Sequence, residues 1–270
     1  MDTETFNLWD NPPGMCGEVP KITYYKPEKK TTDSAIVILP GGGYSHRAPH
    51  EGKGYAEFLA ENGITAFVVD YRVSPHTFPL PLLDARRGMR FVRYNAEKFG
   101  IDKKKIAIMG SSAGGHLAAL TSTYTAPIDF EGYDNTDSED FLPNAQILCY
   151  PVISLYDKNI THFGTGDNLT GNKYSETNDI INRRKLSPDL LVNETTPPAF
   201  IWHTFEDQAV HINNTLNYTA ALKNYNIATE VHVFPHGRHG LGLTNHETPV
   251  DNHVAQWAEL LLNWMKYMGF

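Results

Sequence analysis

Cysteine is almost absent from the sequence, which holds only Cys16 and Cys149 among 270 residues. The two lie far apart, and Cys149 falls in an apolar stretch that is typical of a strand. Two thiols in a chain of this length do not supply a disulfide framework. A reducing compartment is therefore expected.

Long apolar runs and a signal-like N-terminus are lacking as well. No run approaches the ~18 residues that a membrane-spanning helix needs. The N-terminal segment has neither the basic start nor the apolar centre of a secretory signal. We therefore expect a soluble, cytoplasmic protein without a membrane partner.

Positive charge is the scarcer sign, because 23 Lys and Arg residues face 31 Asp and Glu residues, for a net charge of −8. Binding to a phosphate backbone depends on clustered cations, so no nucleic-acid partner is expected. The hydrophobic content of 41% suffices for one large core, and no break in composition divides it. We expect a single domain over residues 1–270. The sequence leaves the oligomeric state open, a homo-oligomer included.

Apolar runs alternate with amphipathic stretches along most of the chain. Residues 5–20 are predicted to be a loop or ordered arm. The predicted strands are 19–25 (an edge strand), 35–39, 64–70, 105–109, 145–152, 198–204 and 229–234, and the predicted helices include 51–62, 82–99, 210–224 and 251–268. This alternation predicts an α/β fold with a mostly parallel, twisted sheet, helices on both faces, and sites at the carboxyl ends of the strands.

Two insertions interrupt the alternation. Residues 125–143 are acidic and rich in turn formers, whereas residues 157–197 are long, polar and only partly helical in pattern. Insertions of this kind in a compact domain are usually functional lids or surface loops. The shorter one is interpreted as a surface excursion, and the longer one as a small cap.

The stretch around residues 105–120 organises the rest of the chain. A β-prone run leads into Gly-Ser-Ser-Ala-Gly at residues 110–114, and a helical pattern follows. This fits G-x-S-x-G, in which a strained turn holds a serine hydroxyl above a central strand. Ser112 is the candidate nucleophile, while the alternative reading makes it a helix N-cap.

A serine hydroxyl needs a histidine to take its proton and a carboxylate to orient that histidine. In this architecture the acid and then the histidine follow the serine on loops after later strands. Asp207, which follows the predicted strand 198–204, is the preferred acid, and Glu206 is the reserve. From its position alone, Asp207 is equally well interpreted as the cap of a helix that begins near residue 209. His239 is the preferred base, with His236 in reserve.

The oxyanion of the tetrahedral intermediate also needs backbone N–H donors that already point to its position. Ala113 should supply one, and Gly42 and Gly43, in the glycine loop after the predicted strand 35–39, should supply the others. The spacing of that loop does not fit G-x-G-x-x-G, so a nucleotide loop is not expected.

Metal binding is not expected either. His232, His236 and His239 have suggestive spacing, but Pro235 and Gly237 break the helix that would align their rings. His203, His211 and His232 lie in or near predicted elements and are assigned structural roles. No cofactor is predicted.

Four motifs carry a resemblance to a known family. They are PGGGY at 40–44, GSSAGGHLA at 110–118, WHTFEDQAV at 202–210 and FPHGRHG at 234–240. With them the chain resembles the α/β-hydrolase superfamily, and within it esterases and lipases such as acetyl esterases and acetylxylan esterases. Many relatives carry histidine where Pro40 stands, a change that leaves the backbone donors intact.

The resemblance implies a serine carboxylesterase that removes short acyl groups, acetyl above all, from a carbohydrate or another small ester. It implies a Ser112, Asp207 and His239 triad with an oxyanion hole from Gly42, Gly43 and Ala113. A formamidase-like amidohydrolase is the alternative enzyme, because a triad does not distinguish esters from amides. A non-catalytic ligand-binding protein is the alternative outside enzymes.

Overall fold

Eight strands of one sheet run through the part of the chain that the computed structural model describes, residues 2–14, 17, 19–128, 134–175, 179–245 and 252–270. The strands are β1 (Asp2–Asn7), β2 (Lys21–Lys26), β3 (Ala35–Leu39), β4 (Thr65–Asp70), β5 (Ile106–Ser111), β6 (Ala145–Cys149), β7 (Ala199–Thr204) and β8 (Thr229–Phe234). Their spatial order is β1-β2-β4-β3-β5-β6-β7-β8.

The pairing is parallel from β4 through β3 to β8, and β1 and β2 are antiparallel to their neighbours. The mostly parallel sheet predicted from the alternation of elements is therefore confirmed. The predicted edge position of strand 19–25 is wrong, because β1 pairs with β2 on its outer side. The loop predicted for residues 5–20 likewise begins only after β1, whose alternating threonines favour a strand.

Eight helices accompany the sheet in the described residues. They are α1 (Pro49–Glu61), α2 (Leu80–Tyr94), α3 (Ala96–Phe99), α4 (Ser112–Thr123), α5 (Phe163–Thr170), α6 (Asp179–Lys185), α7 (Asn213–Asn224) and α8 (Asn252–Met268), with 3-10 turns at Asn135–Ser138 and Pro188–Leu190. One core cluster contains side chains of α2, α4 and α7, and the other contains side chains of α1 and α8. Helices thus cover both faces, as predicted.

The single helix predicted over residues 82–99 is wrong in one respect. Helix α2 ends at Tyr94, and Asn95 breaks the run before α3 begins. The side-chain amide and the backbone N–H of Asn95 both donate to the carbonyl oxygen of Phe91, while the Asn95 backbone, with φ −94° and ψ 15°, leaves the helical conformation.

The longer insertion, predicted to be a cap over residues 157–197, contains α5, α6 and a 3-10 turn. Arg183 of α6 is fully buried and forms ion pairs with Asp179 of the same helix and with Asp167 of α5, so the second pair connects the two helices. Asn168 of α5 donates to the carbonyl oxygen of Gly43 over 2.8 Å, which places α5 beside the glycine loop. Whether residues 1–270 form a single domain stays a prediction.

Candidate active site

The turn between β5 and α4 holds Ser112 in a strained backbone conformation. Its φ of +53° lies in the left-handed region, which residues other than glycine rarely adopt. A Cβ on Gly110 would lie 2.1 Å from the carbonyl oxygen of Gly114, so a side chain at residue 110 would clash. The turn predicted from G-x-S-x-G is present, and Ser112 is the first residue of α4.

Three of the predicted residues form one hydrogen-bonded chain. Nε2 of His239 lies 2.8 Å from Oγ of Ser112, and Nδ1 of His239 lies 2.6 Å from Oδ2 of Asp207. An ionised carboxylate only accepts, so Nδ1 carries the proton and Nε2 is left to accept from the serine hydroxyl. Ser112, His239 and Asp207 come from three separate loops at the carboxyl ends of β5, β8 and β7.

The carboxylate of Asp207 is fully enclosed and uses both oxygens. Oδ1 accepts from the backbone N–H groups of Ala209 and Val210 at 2.9 Å, while Oδ2 accepts from His239. Burial alone would raise the pKa of Asp207, but hydrogen bonds from His203 and His239 hold it well below its usual range. Asp207 does not cap a helix that begins near residue 209, because α7 begins at Asn213.

One residue next to Asp207, His203, was predicted from the sequence to have only a structural role. His203 is fully buried in β7, and its Nε2 lies 3.2 Å from Oδ2 of Asp207. Its Nδ1 lies 2.8 Å from the hydroxyl of Thr215, which fixes the ring. A histidine four residues before the acid, at the end of a strand, was the available sequence signal.

The two reserve residues are not part of this chain of hydrogen bonds. Nδ1 of His236 contacts Oε1 of Glu206 at 2.8 Å, and both side chains are more than half exposed. The histidines considered for a metal site likewise turn apart, since His232 contacts Glu230 and His239 contacts Ser112. Within the described ranges, no group of three or more His, Cys, Asp or Glu side chains is arranged to hold a metal ion.

The glycine loop after β3 presents its backbone next to Ser112. The N–H of Gly41 is directed away, to Oε2 of Glu51 at 2.9 Å. The carbonyl oxygens of Gly42 and Gly43 accept hydrogen bonds from Ser45 and Asn168, whereas no described residue accepts from the N–H groups of these two glycines. Ala113, in the first turn of α4, also has an N–H without an intrahelical acceptor.

A cleft of about 470 Å³ opens above Ser112. Its described lining residues are Gly42, Gly43, Ser45, His46, Ala48, His50, Glu51, Ser112, His162, Gly164, Asn168, Arg238, His239 and Gly240. Apart from the glycines, Ala48 is the one apolar residue among them. The described part of the cleft therefore has no large apolar side chain that could hold a long acyl chain.

A second cleft, of about 420 Å³, lies on the other side of the start of α5. His162 lines the first cleft, and its neighbour Phe163 lines the second together with Phe205 and Gln208. Phe163 is 45% exposed and Phe205 is 65% exposed, which is high for large aromatic side chains. The second cleft thus offers aromatic faces beside the candidate active site.

The pattern of residues and the fold together match a known family. The model of the BD-FAE family fits residues 22–222, about three quarters of the chain. The chain belongs to the BD-FAE family, an esterase family with the α/β-hydrolase fold. The resemblance and the fold class expected from the four motifs are therefore confirmed.

Two curated relatives of this BD-FAE chain are 32% identical to it. One is endo-1,4-beta-xylanase B of Butyrivibrio fibrisolvens, aligned over 89% of this chain and 38% of its own length. The other is an acetylxylan esterase of Xylanibacter ruminicola, aligned over 86% of this chain and 45% of its own length. The chain thus spans less than half the length of either relative.

A solved structure matches the BD-FAE chain over nearly its full length. The acetyl ester-xyloside bifunctional hydrolase from Caldicellulosiruptor lactoaceticus is 38% identical and superposes with a TM-score of 0.88, covering 99% of this chain and 97% of its own.

In the described parts of this BD-FAE chain, no helix has the length and apolar character to cross a membrane.

One of the two cysteines lies in a described strand. Cys149 is fully buried in β6, and burial raises the pKa of its thiol to about 12, while Cys16 lies outside the described residues.

Proposed function

We propose that this protein is a serine carboxylesterase that hydrolyses short acyl esters. The observation that carries the proposal is the continuous hydrogen-bonded chain from Ser112 through His239 to Asp207, with contacts of 2.8 and 2.6 Å. Together with a nucleophile held at positive φ, this arrangement has the geometry and tautomer that ester hydrolysis requires. Membership in an esterase family supports the same conclusion.

In the proposed reaction, Oγ of Ser112 attacks the carbonyl carbon of the ester while Nε2 of His239 takes the hydroxyl proton. Asp207 keeps the ring in the required tautomer and stabilises its charged form. The imidazolium then protonates the departing alcohol as the bond from the carbonyl carbon to the alcohol oxygen breaks. Water, deprotonated by His239, attacks the acyl carbon. The bond from that carbon to Oγ of Ser112 then breaks, His239 returns the proton to Oγ, and the acid is released.

The oxyanion that forms in both tetrahedral intermediates needs donors that are already in place. We propose that the N–H groups of Ala113, Gly42 and Gly43 are these donors. Gly41 is excluded from this role because its N–H is already bonded to Glu51.

Acetyl esters of a carbohydrate are the proposed substrates. The absence of a large apolar side chain among the described residues of the cleft supports a short acyl group. The similarity to an acetylxylan esterase and to an acetyl ester-xyloside bifunctional hydrolase supports an acetylated sugar. The proposed partner is therefore a small-molecule ester. A cytoplasmic location and the absence of a nucleic-acid partner stay predictions.

A probe and a substrate panel test this proposal. A fluorophosphonate should label the wild type but not Ser112→Ala, because the hydroxyl is the labelled atom. The panel should contain p-nitrophenyl acetate, acetylated xylo-oligosaccharides, formyl amides and p-nitrophenyl xyloside. We expect turnover of the two esters above the amide and the glycoside. An unlabelled wild type that hydrolyses no ester would overturn the proposal.

A further inference from the structure

Glu51 is a buried carboxylate between the glycine loop and the sheet. It lies in the first turn of α1, is 3% exposed, and lines the cleft above Ser112. Oε2 accepts from the N–H of Gly41 at 2.9 Å, and Oε1 accepts from the hydroxyl of Tyr150 at 2.7 Å. Each oxygen therefore has its own donor from a different segment of the chain.

The Gly41 contact reaches the nucleophile turn directly. A Cβ built on Gly41 would lie 2.3 Å from Oε2 of Glu51 and 3.1 Å from Cβ of Ser112. It would also lie 2.8 Å from the carbonyl oxygen of Ser111. Residue 41 is thus wedged between the carboxylate and the turn, and Gly42 and Gly43 continue from it. The contact with Glu51 helps to set how far these two peptides stand from Ser112.

The Tyr150 contact reaches the histidine loop. The Tyr150 hydroxyl accepts from the N–H of Gly242 at 2.9 Å, and its ring packs edge-on against the His239 ring with centroids 5.0 Å apart. Burial and the Glu51 charge raise the pKa of Tyr150 well above its ordinary value, so the hydroxyl keeps the proton that it donates. One carboxylate thereby connects the glycine loop to the loop that carries His239.

The need for a charge at this position follows from counting acceptors. Burying a carboxylate costs desolvation energy, which the N-terminus of α1 and the two hydrogen bonds from Gly41 and Tyr150 offset in part. A glutamine would be less costly to bury, but it has one acceptor oxygen for two donors. Its amide group would face either the Gly41 N–H, which would lose its acceptor, or the Tyr150 hydroxyl, which would have to turn its proton toward the Tyr55 hydroxyl 3.2 Å away.

We propose that Glu51 is a positioning residue for ester hydrolysis. It holds the Gly41 peptide so that the N–H groups of Gly42 and Gly43 point to the oxyanion. It also holds Tyr150, which fixes the position of the loop that carries His239. The inference rests on the proposed esterase function. It assigns Glu51 no contact with substrate and no proton transfer. Its effect belongs to the transition state, because the oxyanion forms only there.

Glu51→Gln tests the proposal. We expect kcat on p-nitrophenyl acetate to fall at least about ten-fold while KM changes little, since a lost or displaced oxyanion donor lowers kcat. The affinity for a boronic acid, which forms a tetrahedral adduct with Ser112, should fall in parallel. Glu57→Gln is the matched control, because Glu57 lies on the same helix, is 42% exposed and pairs only with Lys53 in the described contacts.

Tyr150→Phe is the second variant, and it keeps the ring against His239 while removing the hydroxyl. We expect a smaller fall in kcat, and a double variant whose loss is less than the product of the two single losses, because both changes break one network. Titration of active sites with paraoxon restricts the comparison to folded enzyme, and Tyr150→Phe decides the matter if Glu51→Gln does not fold.

Wild-type kcat in folded Glu51→Gln, or a fall in kcat without a fall in boronic acid affinity, would overturn the role of Glu51 while leaving the esterase function intact. An inactive wild type would instead remove the proposed function.

Discussion

Nε2 of His203 and Nδ1 of His239 converge on the same oxygen, Oδ2 of Asp207, at 3.2 and 2.6 Å. His203 also lies 3.0 Å from the carbonyl oxygen of Val210 and is fully buried, so its ring is fixed by groups on both sides. The acid of the proposed triad is therefore held by two histidines, of which only one faces Ser112.

Replacing His203 with Phe should lower kcat about ten-fold, because the variant loses one hydrogen bond to a charged group and Asp207 can turn away from His239. The hydrogen bond from His203 also helps to keep the pKa of Asp207 low, so that pKa should rise. Kinetics on p-nitrophenyl acetate across pH measure both effects. His232→Phe is the control, since His232 contacts Glu230 instead. Equal kcat in both variants would contradict the prediction.

The two neighbouring carboxylates after β7 should differ sharply in their effect on activity. Asp207→Asn should lower kcat at least about 10³-fold, because an amide stabilises the wrong tautomer of His239 and cannot stabilise its charged form. Glu206→Gln should be mild, since Glu206 is 54% exposed and contacts His236. Steady-state kinetics with both proteins decide, and the opposite ranking would make Glu206 the acid.

Stability should fall as the pH drops from about 6.5 to about 4 because of His116. Burial lowers the pKa of His116 from 6.5 to about 4, and the ring is held by Tyr44 and by the carbonyl oxygen of Leu186. Between these pH values the unfolded chain binds a proton that the folded chain does not. The free energy of unfolding therefore decreases toward acid, by an amount on the order of 3 kcal/mol.

Urea unfolding of His116→Gln at several pH values measures this contribution. The variant should have a flatter pH dependence than the wild type over that window, with a lower stability near neutral pH because the buried hydrogen bonds are lost. His211→Gln, at an exposed position, serves as the control. An unchanged slope in His116→Gln would show that another group causes the acid sensitivity.

The aromatic faces of the second cleft should matter for sugar substrates alone. Phe205→Ala should lower kcat/KM for acetylated xylo-oligosaccharides by up to about ten-fold, from ~1 kcal/mol of lost stacking on a pyranose ring. Activity on p-nitrophenyl acetate should stay unchanged, because that ester is too small to reach Phe205. Tyr267→Ala, at an 85% exposed aromatic on α8, is the control. Equal effects on both substrates would argue against a sugar at this position.

A feature of this fold is predictable from the sequence when the interactions that determine it are local in the chain. The strand β3 matches its predicted bounds because an unbroken apolar run between polar turns specifies a buried strand. Ser112, Asp207 and His239 lie together, as the sequence predicts, because each follows a strand and the fold brings the ends of these strands to one edge of the sheet. The positions of Glu51 and His203 beside the site were not predicted, because their contacts with Tyr150 and Asp207 form only when distant segments pack together. The break at Asn95 was missed because the apolar period continues through it.

The length of the acyl chain is the sharpest remaining test of the proposed substrate. A lipase holds a long chain on apolar surface, where each buried methylene contributes ~0.8 kcal/mol, so its efficiency rises steeply with chain length. The described residues that line the cleft above Ser112 include Ala48, glycines and polar residues but no large apolar side chain, so a long acyl chain finds little to pack against. We therefore expect kcat/KM on p-nitrophenyl esters to be highest for acetate or propionate and to fall beyond butyrate. The common leaving group ensures that only the acyl pocket is compared, and a maximum at octanoate would indicate a lipid substrate instead of an acetylated sugar.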